Sequence, residues 1–221
     1  MDSADTIIET LHGNIKTVKY NKPRRKNAID SDMYQRVTRI LNNAAKDDSV
    51  SVMVFTGTGD YFSSGNDLVA ARDVHGPTFF NILHDFIEAF IKFPKLLVAI
   101  VNGPAVGIAV TTLPLCDVIF AAENALELLL FNQKMNAQEA LDNGFVNYLY
   151  KPEDIQTKVW DKLMEISNVS DYLLTTTKRL MRGPIQDKLI KVNDEEIALL
   201  SKAWAARREG RENVKTSNSK L

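Results

Sequence analysis

Apolar and polar positions alternate through the first twenty residues, and the alternation breaks once, at His12-Gly13-Asn14. Period-two alternation marks a half-buried strand, so two such runs around a Gly-Asn break predict a hairpin over residues 7–20. The period then changes. Met33, Val37, Ile40, Leu41 and Ala44 recur at helical spacing, which predicts a helix over 32–46 capped by Ser31. Residues 50–55 and 96–101 are apolar runs and read as strands buried on both faces. Between them Phe79, Ile82, Leu83, Phe86, Ile87, Phe90 and Ile91 share one face of a helix over 79–93, stopped by Pro94. This aromatic stripe reads as core. A small-residue helix over 105–113 and a strand over 118–122 follow. Residues 126–131 and 137–141 read as helical and 145–150 as a short strand. Helices are expected over 153–169 and 170–181, the second stopped by Gly183-Pro184, and over 187–208. Strands alternating with helices, then helices alone, predict an α/β core over 1–150 and a helical region over 151–221.

Two of the strand ends share a chemistry. FTGTGDYFSSGNDL (55–68) and LVAIVNGPAVG (97–107) each run from a buried strand through a glycine-rich turn into a helix start. Glycine permits sharp turns, and a helix start leaves backbone N–H groups unpaired, a setting that favours negative charge. Two such turns facing each other would hold one oxyanion between two N–H donors. Asp67 reads as the cap of the next helix, and Tyr61 and Phe62 as packing beside the loop. The basic stretch NKPRRKNAID (21–30) reads on its residues as a solvated turn first and a phosphate contact second.

Composition narrows the function classes. A chain of 221 residues is long enough for one sizeable core. A net charge of −1 disfavours nucleic acid as a partner. No run of 18 apolar residues predicts a membrane span, and the acidic start lacks a signal-peptide core. The single Cys116 excludes an internal disulfide and fits a reducing compartment. His12, His75 and His84 have no ligand spacing, so no metal is expected. Ser219-Lys220-Leu221 reads as an address for the peroxisomal import receptor, which places the protein in the peroxisomal matrix, behind a polar tail over 213–218 expected to be mobile.

Four stretches together resemble the crotonase (enoyl-CoA hydratase/isomerase) superfamily: NKPRRKNAI, TGTGDYFSSGNDL, IVNGPAVGIAVTTLPLCDVIFAAENA and NQKMNAQEALDNGFVNYLY. The SSGNDL wording and the terminal SKL are most similar to the peroxisomal Δ3,Δ2-enoyl-CoA isomerases. The resemblance implies a spiral of ββα units with C-terminal helices that build a trimer or a hexamer. It implies a coenzyme A thioester as substrate and no separate cofactor. It implies that the backbone N–H groups of Asn66 and Ile108 are the oxyanion donors. Ser64, Gly65, Asn66, Asp67 and Leu68 would line the acyl and pantetheine path with Ile108, and Arg25, Lys26 and Ala28 would lie near the pantetheine and the phosphates. On that ground the basic loop becomes a CoA contact. The implied reaction moves a 3-cis or 3-trans double bond of an enoyl-CoA to the 2-trans position, in fatty acid β-oxidation.

The sequence also departs from the family. One of the two hydratase glutamates would fall at Thr111, which is no carboxylate base, so hydration is disfavoured. The single isomerase glutamate lies, in the family, in a segment that is absent here between Ala125 and Leu126. Glu123 and Glu127 are the nearby carboxylates. Three explanations stay open: an intact protein that carries the segment, a shortened form that binds acyl-CoA without turnover, or a different base.

Overall fold

A computed structural model describes residues 5–67, 76–123, 128–130, 133–155 and 157–218. The hairpin forms as expected: β1 (Ile7–His12) pairs antiparallel with β2 (Ile15–Tyr20), and the turn carries Gly13 at positive φ. From β2 onward the sheet is parallel. β3 (Val52–Gly57), β4 (Leu96–Val101), β5 (Val118–Ala122) and β8 (Tyr148–Tyr150) add in chain order to give β1-β2-β3-β4-β5-β8. All six residues of β3 are buried, which the continuous apolar run required.

Each crossover inserts a short extended piece before its helix. Ile29 bridges Asn66, and Ser63 bridges Ala105, both in parallel. Strand, short extended piece and helix therefore repeat along β2–Ile29–α1 (Ser31–Ala44), β3–Ser63/Asn66–α2 (Pro77–Lys92) and β4–Ala105–α3 (Ile108–Thr111). This is the expected ββα spiral. The main sheet carries the core, and the bridged pieces form a second, thinner layer at the strand ends. α1 and α2 pack on one sheet face, where Phe55 meets Phe90 at 4.9 Å between ring centroids. α1 is capped by Asp30 rather than Ser31: the Asp30 carboxylate accepts from the Met33 N–H at 2.9 Å.

Three elements differ from expectation. The stretch 126–131 is not a helix where it is described: β6 (Leu128–Leu130) pairs antiparallel with β7 (Gln133–Met135). α4 (Ala137–Asp142) then begins with a capping box between Asn136 and Glu139, and α5 (Lys158–Ser167) is shorter than predicted. Gly183-Pro184 does not stop a helix. α6 is continuous over Asp171–Asn218 with Pro184 inside it, so residues 213–218 are helical. Proline removes one backbone hydrogen bond, but both flanks are held to the core. Before it, Lys178 pairs with Asp117 at 2.7 Å and Arg182 donates to the Cys116 carbonyl at 2.8 Å. After it, Asn193 donates to the His84 carbonyl at 3.1 Å. Ser219, Lys220 and Leu221 lie outside the described residues.

Candidate active site

The basic loop and the first glycine turn fold as one unit. Pro23–Arg25 form a single 3-10 turn, and Lys26 and Asn27 follow in the left-handed region. Asn27 is fully buried and joins three segments: its Oδ1 accepts from the Lys22 N–H at 2.9 Å, and its Nδ2 donates to the Thr58 and Tyr61 carbonyls at 3.0 and 2.7 Å. Ser63 Oγ donates to the Asn27 carbonyl, and the Ser64 N–H donates to the Lys26 carbonyl. Phe62 is buried against Tyr20, while Tyr61 lies under the Lys26 ammonium, 4.9 Å from its ring centroid.

The stretch that Asp67 is expected to cap lies outside the described residues, but the Asp67 carboxylate itself is placed. It is buried and accepts charge-assisted bonds from Arg25 at 2.6 Å and Lys22 at 3.0 Å, and Lys22 also reaches Asp30 at 2.9 Å. Two cations on one desolvated carboxylate tie the basic loop to the glycine turn more firmly than surface pairs do. The Arg25 side chain stays 46% exposed beside this pair. Ala28 is buried, with its N–H donated to the Arg25 carbonyl. Leu68 lies outside the described residues.

The second turn is laid against the first. Asn102 Oδ1 accepts from the Gly57 N–H at 2.9 Å, and its Nδ2 donates to the Gly59 carbonyl. The Phe62 and Ser63 N–H groups donate to the Pro104 carbonyl, and the Val106 N–H donates back to Ser63. The turns also touch at Gly65, φ +81°, where a Cβ would sit 2.5 Å from the Val106 carbonyl oxygen and 3.6 Å from Gly107 Cα. Only glycine fits there, on both space and conformation.

Pairing fixes which way the amides face. The Ile29 N–H donates to Gly65, and the Asp67 N–H donates to Ile29. In extended chain, neighbouring residues direct their peptide groups to opposite sides. The Asn66 N–H is thus turned away from Ile29, toward the flank along which residues 105–107 run. Ile108, one residue beyond Gly107, opens α3 and has no carbonyl within the helix to bond. Among the described residues neither N–H donates a hydrogen bond. Two such donors, each one residue past a touching glycine, suit an oxygen that gains charge.

A family model described as enoyl-CoA hydratase/isomerase matches residues 10–126, a span that includes both turns. The chain belongs to this family. Among similar proteins, the peroxisomal enoyl-CoA delta isomerase 3 of Mus musculus is 38% identical, over 89% of this chain and 73% of the mouse protein. Enoyl-CoA delta isomerase 2 of Rattus norvegicus is 36% identical, over 90% of this chain and 60% of the rat protein. The chain thus spans less than two thirds of the rat relative's length. The mouse alignment runs over 233 positions, more than the 221 residues of this chain, so the relative carries residues with no counterpart here. An enoyl-CoA hydratase/isomerase from Pseudoalteromonas atlantica shares the fold, with a TM-score of 0.82 over 98% of both chains at 21% identity.

Within this enoyl-CoA hydratase/isomerase chain, Thr111 is exposed and its hydroxyl is directed back to the Ile108 carbonyl. Glu123 is exposed in the turn after β5, and Glu127 lies outside the described residues. Two residues that bear on the site escaped sequence reasoning. Asn27 is a polar residue in a polar loop, and only its left-handed φ of +54° hints at a special role. Tyr34 lies on α1 next to the apolar positions, yet its hydroxyl donates to Asn66 Oδ1, 32 residues along the chain. The Asn66 side chain is therefore anchored rather than solvated.

Proposed function

We propose that this member of the enoyl-CoA hydratase/isomerase family binds an acyl-CoA thioester with its carbonyl oxygen between the Asn66 and Ile108 N–H groups. We propose further that it isomerises 3-cis- or 3-trans-enoyl-CoA to 2-trans-enoyl-CoA, as in β-oxidation. One observation carries the reading: the two glycine turns touch at Gly65, and each presents an amide without a partner. Removing a proton next to a thioester carbonyl places negative charge on that oxygen. Fixed N–H donors stabilise the enolate more than the ground state, and one donor is worth about 3–4 kcal/mol. Backbone donors ask nothing of the side chains at 66 and 108. Arg25, Lys26 and Ala28 would lie near the pantetheine and phosphates, and Ser64, Gly65, Asn66, Asp67 and Leu68 would line the acyl and pantetheine path.

The acid/base is the open element, since Asp67 is engaged with Lys22 and Arg25. The alternative reading is therefore a protein that binds acyl-CoA without turning it over. Incubation with a 3-enoyl-CoA, following the conjugated 2-enoyl product by absorbance and binding by calorimetry, separates the two. Binding with product supports isomerisation, binding without product supports the silent form, and no binding refutes both. Hydration of a 2-enoyl-CoA is disfavoured, given Thr111.

A homotrimer is proposed as well, supported by exposed apolar residues along α6: Tyr172, Leu173, Leu180, Met181, Val192 and Leu199. Sedimentation of a monomer at micromolar concentration would count against it. A peroxisomal location is proposed from Ser219-Lys220-Leu221 and the name of the mouse relative. Deleting the tripeptide should abolish import of the protein.

A further inference from the structure

We propose that Tyr34 is a positioning residue that holds the Asn66 amide in line with the Ile108 amide, a role that rests on the oxyanion reading above. The start of α1 grips the first glycine turn twice. Ile29, just before the helix, bonds the backbone on either side of Asn66, accepting from Asp67 at 2.9 Å and donating to Gly65 at 2.8 Å. Tyr34, in the first turns of the helix, takes the side chain: its hydroxyl donates to Asn66 Oδ1. With backbone and side chain both held, the peptide plane that carries the Asn66 N–H has little freedom left to rotate.

The anchor is itself rigid. The Tyr34 ring is fully buried, packed edge-on against Phe86 at 4.7 Å and Phe79 at 6.1 Å, both from α2. Its backbone is fixed within α1, with the Tyr34 N–H donated to Asp30 and its carbonyl accepting from Thr38 Oγ1. Burial raises the phenol pKa well above its ordinary value, so the hydroxyl keeps its proton at any working pH and remains a donor. Removing this one oxygen leaves the aromatic packing in place and frees the Asn66 side chain. Misplacing a donor by a fraction of an ångström weakens its hold on a developing oxyanion far more than it weakens substrate binding.

The test uses a push–pull chromophore, the CoA thioester of 4-dimethylaminocinnamic acid, whose absorbance moves to longer wavelength as its carbonyl is polarised. The full chain is compared with Tyr34→Phe, Asn66→Ala and the double variant, measuring the dissociation constant and the red shift of the bound probe. The expected result is a dissociation constant within about threefold of wild type for each single variant, with the red shift cut to about half or less. The double variant should lose no more than either single one, because both remove the same link. A full red shift in Tyr34→Phe overturns the proposal, and so does an additive loss in the double variant, which would show that Tyr34 does not act through Asn66. If Tyr34→Phe does not fold, Asn66→Ala decides: an unchanged red shift there overturns the proposal equally. A wild-type protein that binds the probe without any red shift overturns the oxyanion reading itself, and the Tyr34 role with it.

Discussion

Asn27 offers the sharpest test of how the site is built, because one side chain joins the basic loop to the glycine turn. Asn27→Ala removes three hydrogen bonds, to the Lys22 N–H and to the Thr58 and Tyr61 carbonyls, at 2.7–3.0 Å and around a fully buried residue. At about 1 kcal/mol net for each bond the loss is about 3 kcal/mol. Alanine in the left-handed region, at φ +54°, adds about 1 kcal/mol. The expected destabilisation is therefore about 4 kcal/mol, a large share of the ~5–15 kcal/mol typical of a folded protein. Urea unfolding at fixed protein concentration should show a midpoint lowered by about 1.5 M at unchanged slope, taking a slope of about 2.5 kcal/mol/M. Asn27→Gly relieves the left-handed strain but adds backbone entropy to the unfolded chain, so it should lie about 3–4 kcal/mol below wild type. A loss under ~1 kcal/mol in Asn27→Ala would refute the joining role. Wild-type stability in Asn27→Gly would refute it too, since backbone strain would then be the whole effect.

Other expectations follow from the same structure. Gly65→Ala should abolish acyl-CoA binding in calorimetry, because its Cβ would lie 2.5 Å from the Val106 carbonyl oxygen and force the two turns apart. Asp117→Ala should cost about 2–3 kcal/mol in chemical denaturation, because it removes the counter-charge of the half-buried Lys178, which keeps only the Lys95 carbonyl, and the acceptor of the Leu97 N–H; Lys178→Met should cost less, since Asp117 keeps Leu97 and Arg182. At the α2–α6 contact, burial works to depress the His84 pKa, but hydrogen bonds to Asp194 and Asp85 outweigh it and raise the pKa above the ordinary 6.5. That contribution is fully present below pH 6.5 and fades as pH rises through the raised value. His84→Gln should therefore flatten the fall in stability as pH rises above 6.5, as read from thermal midpoints.

What the sequence made legible was local or periodic. The apolar runs marked β3 and β4 because strands buried on both faces must be apolar throughout. The two Gly-rich turns announced themselves because backbone amides at helix starts need that composition. Three features depended on partners far away in the chain. Asp67 reads locally as a helix cap, and nothing near it in the chain announces that Lys22 and Arg25, more than 40 residues earlier, bind its carboxylate. Gly183-Pro184 looked like a stop, and α6 crosses it because Asp117 and His84 hold both flanks to the core. The apolar stretch 126–131 is too short for its period to separate helix from strand, and pairing with β7 makes residues 128–130 a strand. Tyr34 passed as one more residue near an apolar helix face. Nothing in its neighbours indicates that its hydroxyl meets Asn66.

The most direct test is a crystal structure with a bound, slowly reacting acyl-CoA thioester. The thioester oxygen is expected at about 2.7–3.1 Å from both the Asn66 and the Ile108 nitrogens. An oxygen bound by one of these amides alone, or a thioester seated away from Gly65 and Gly107, would contradict the account.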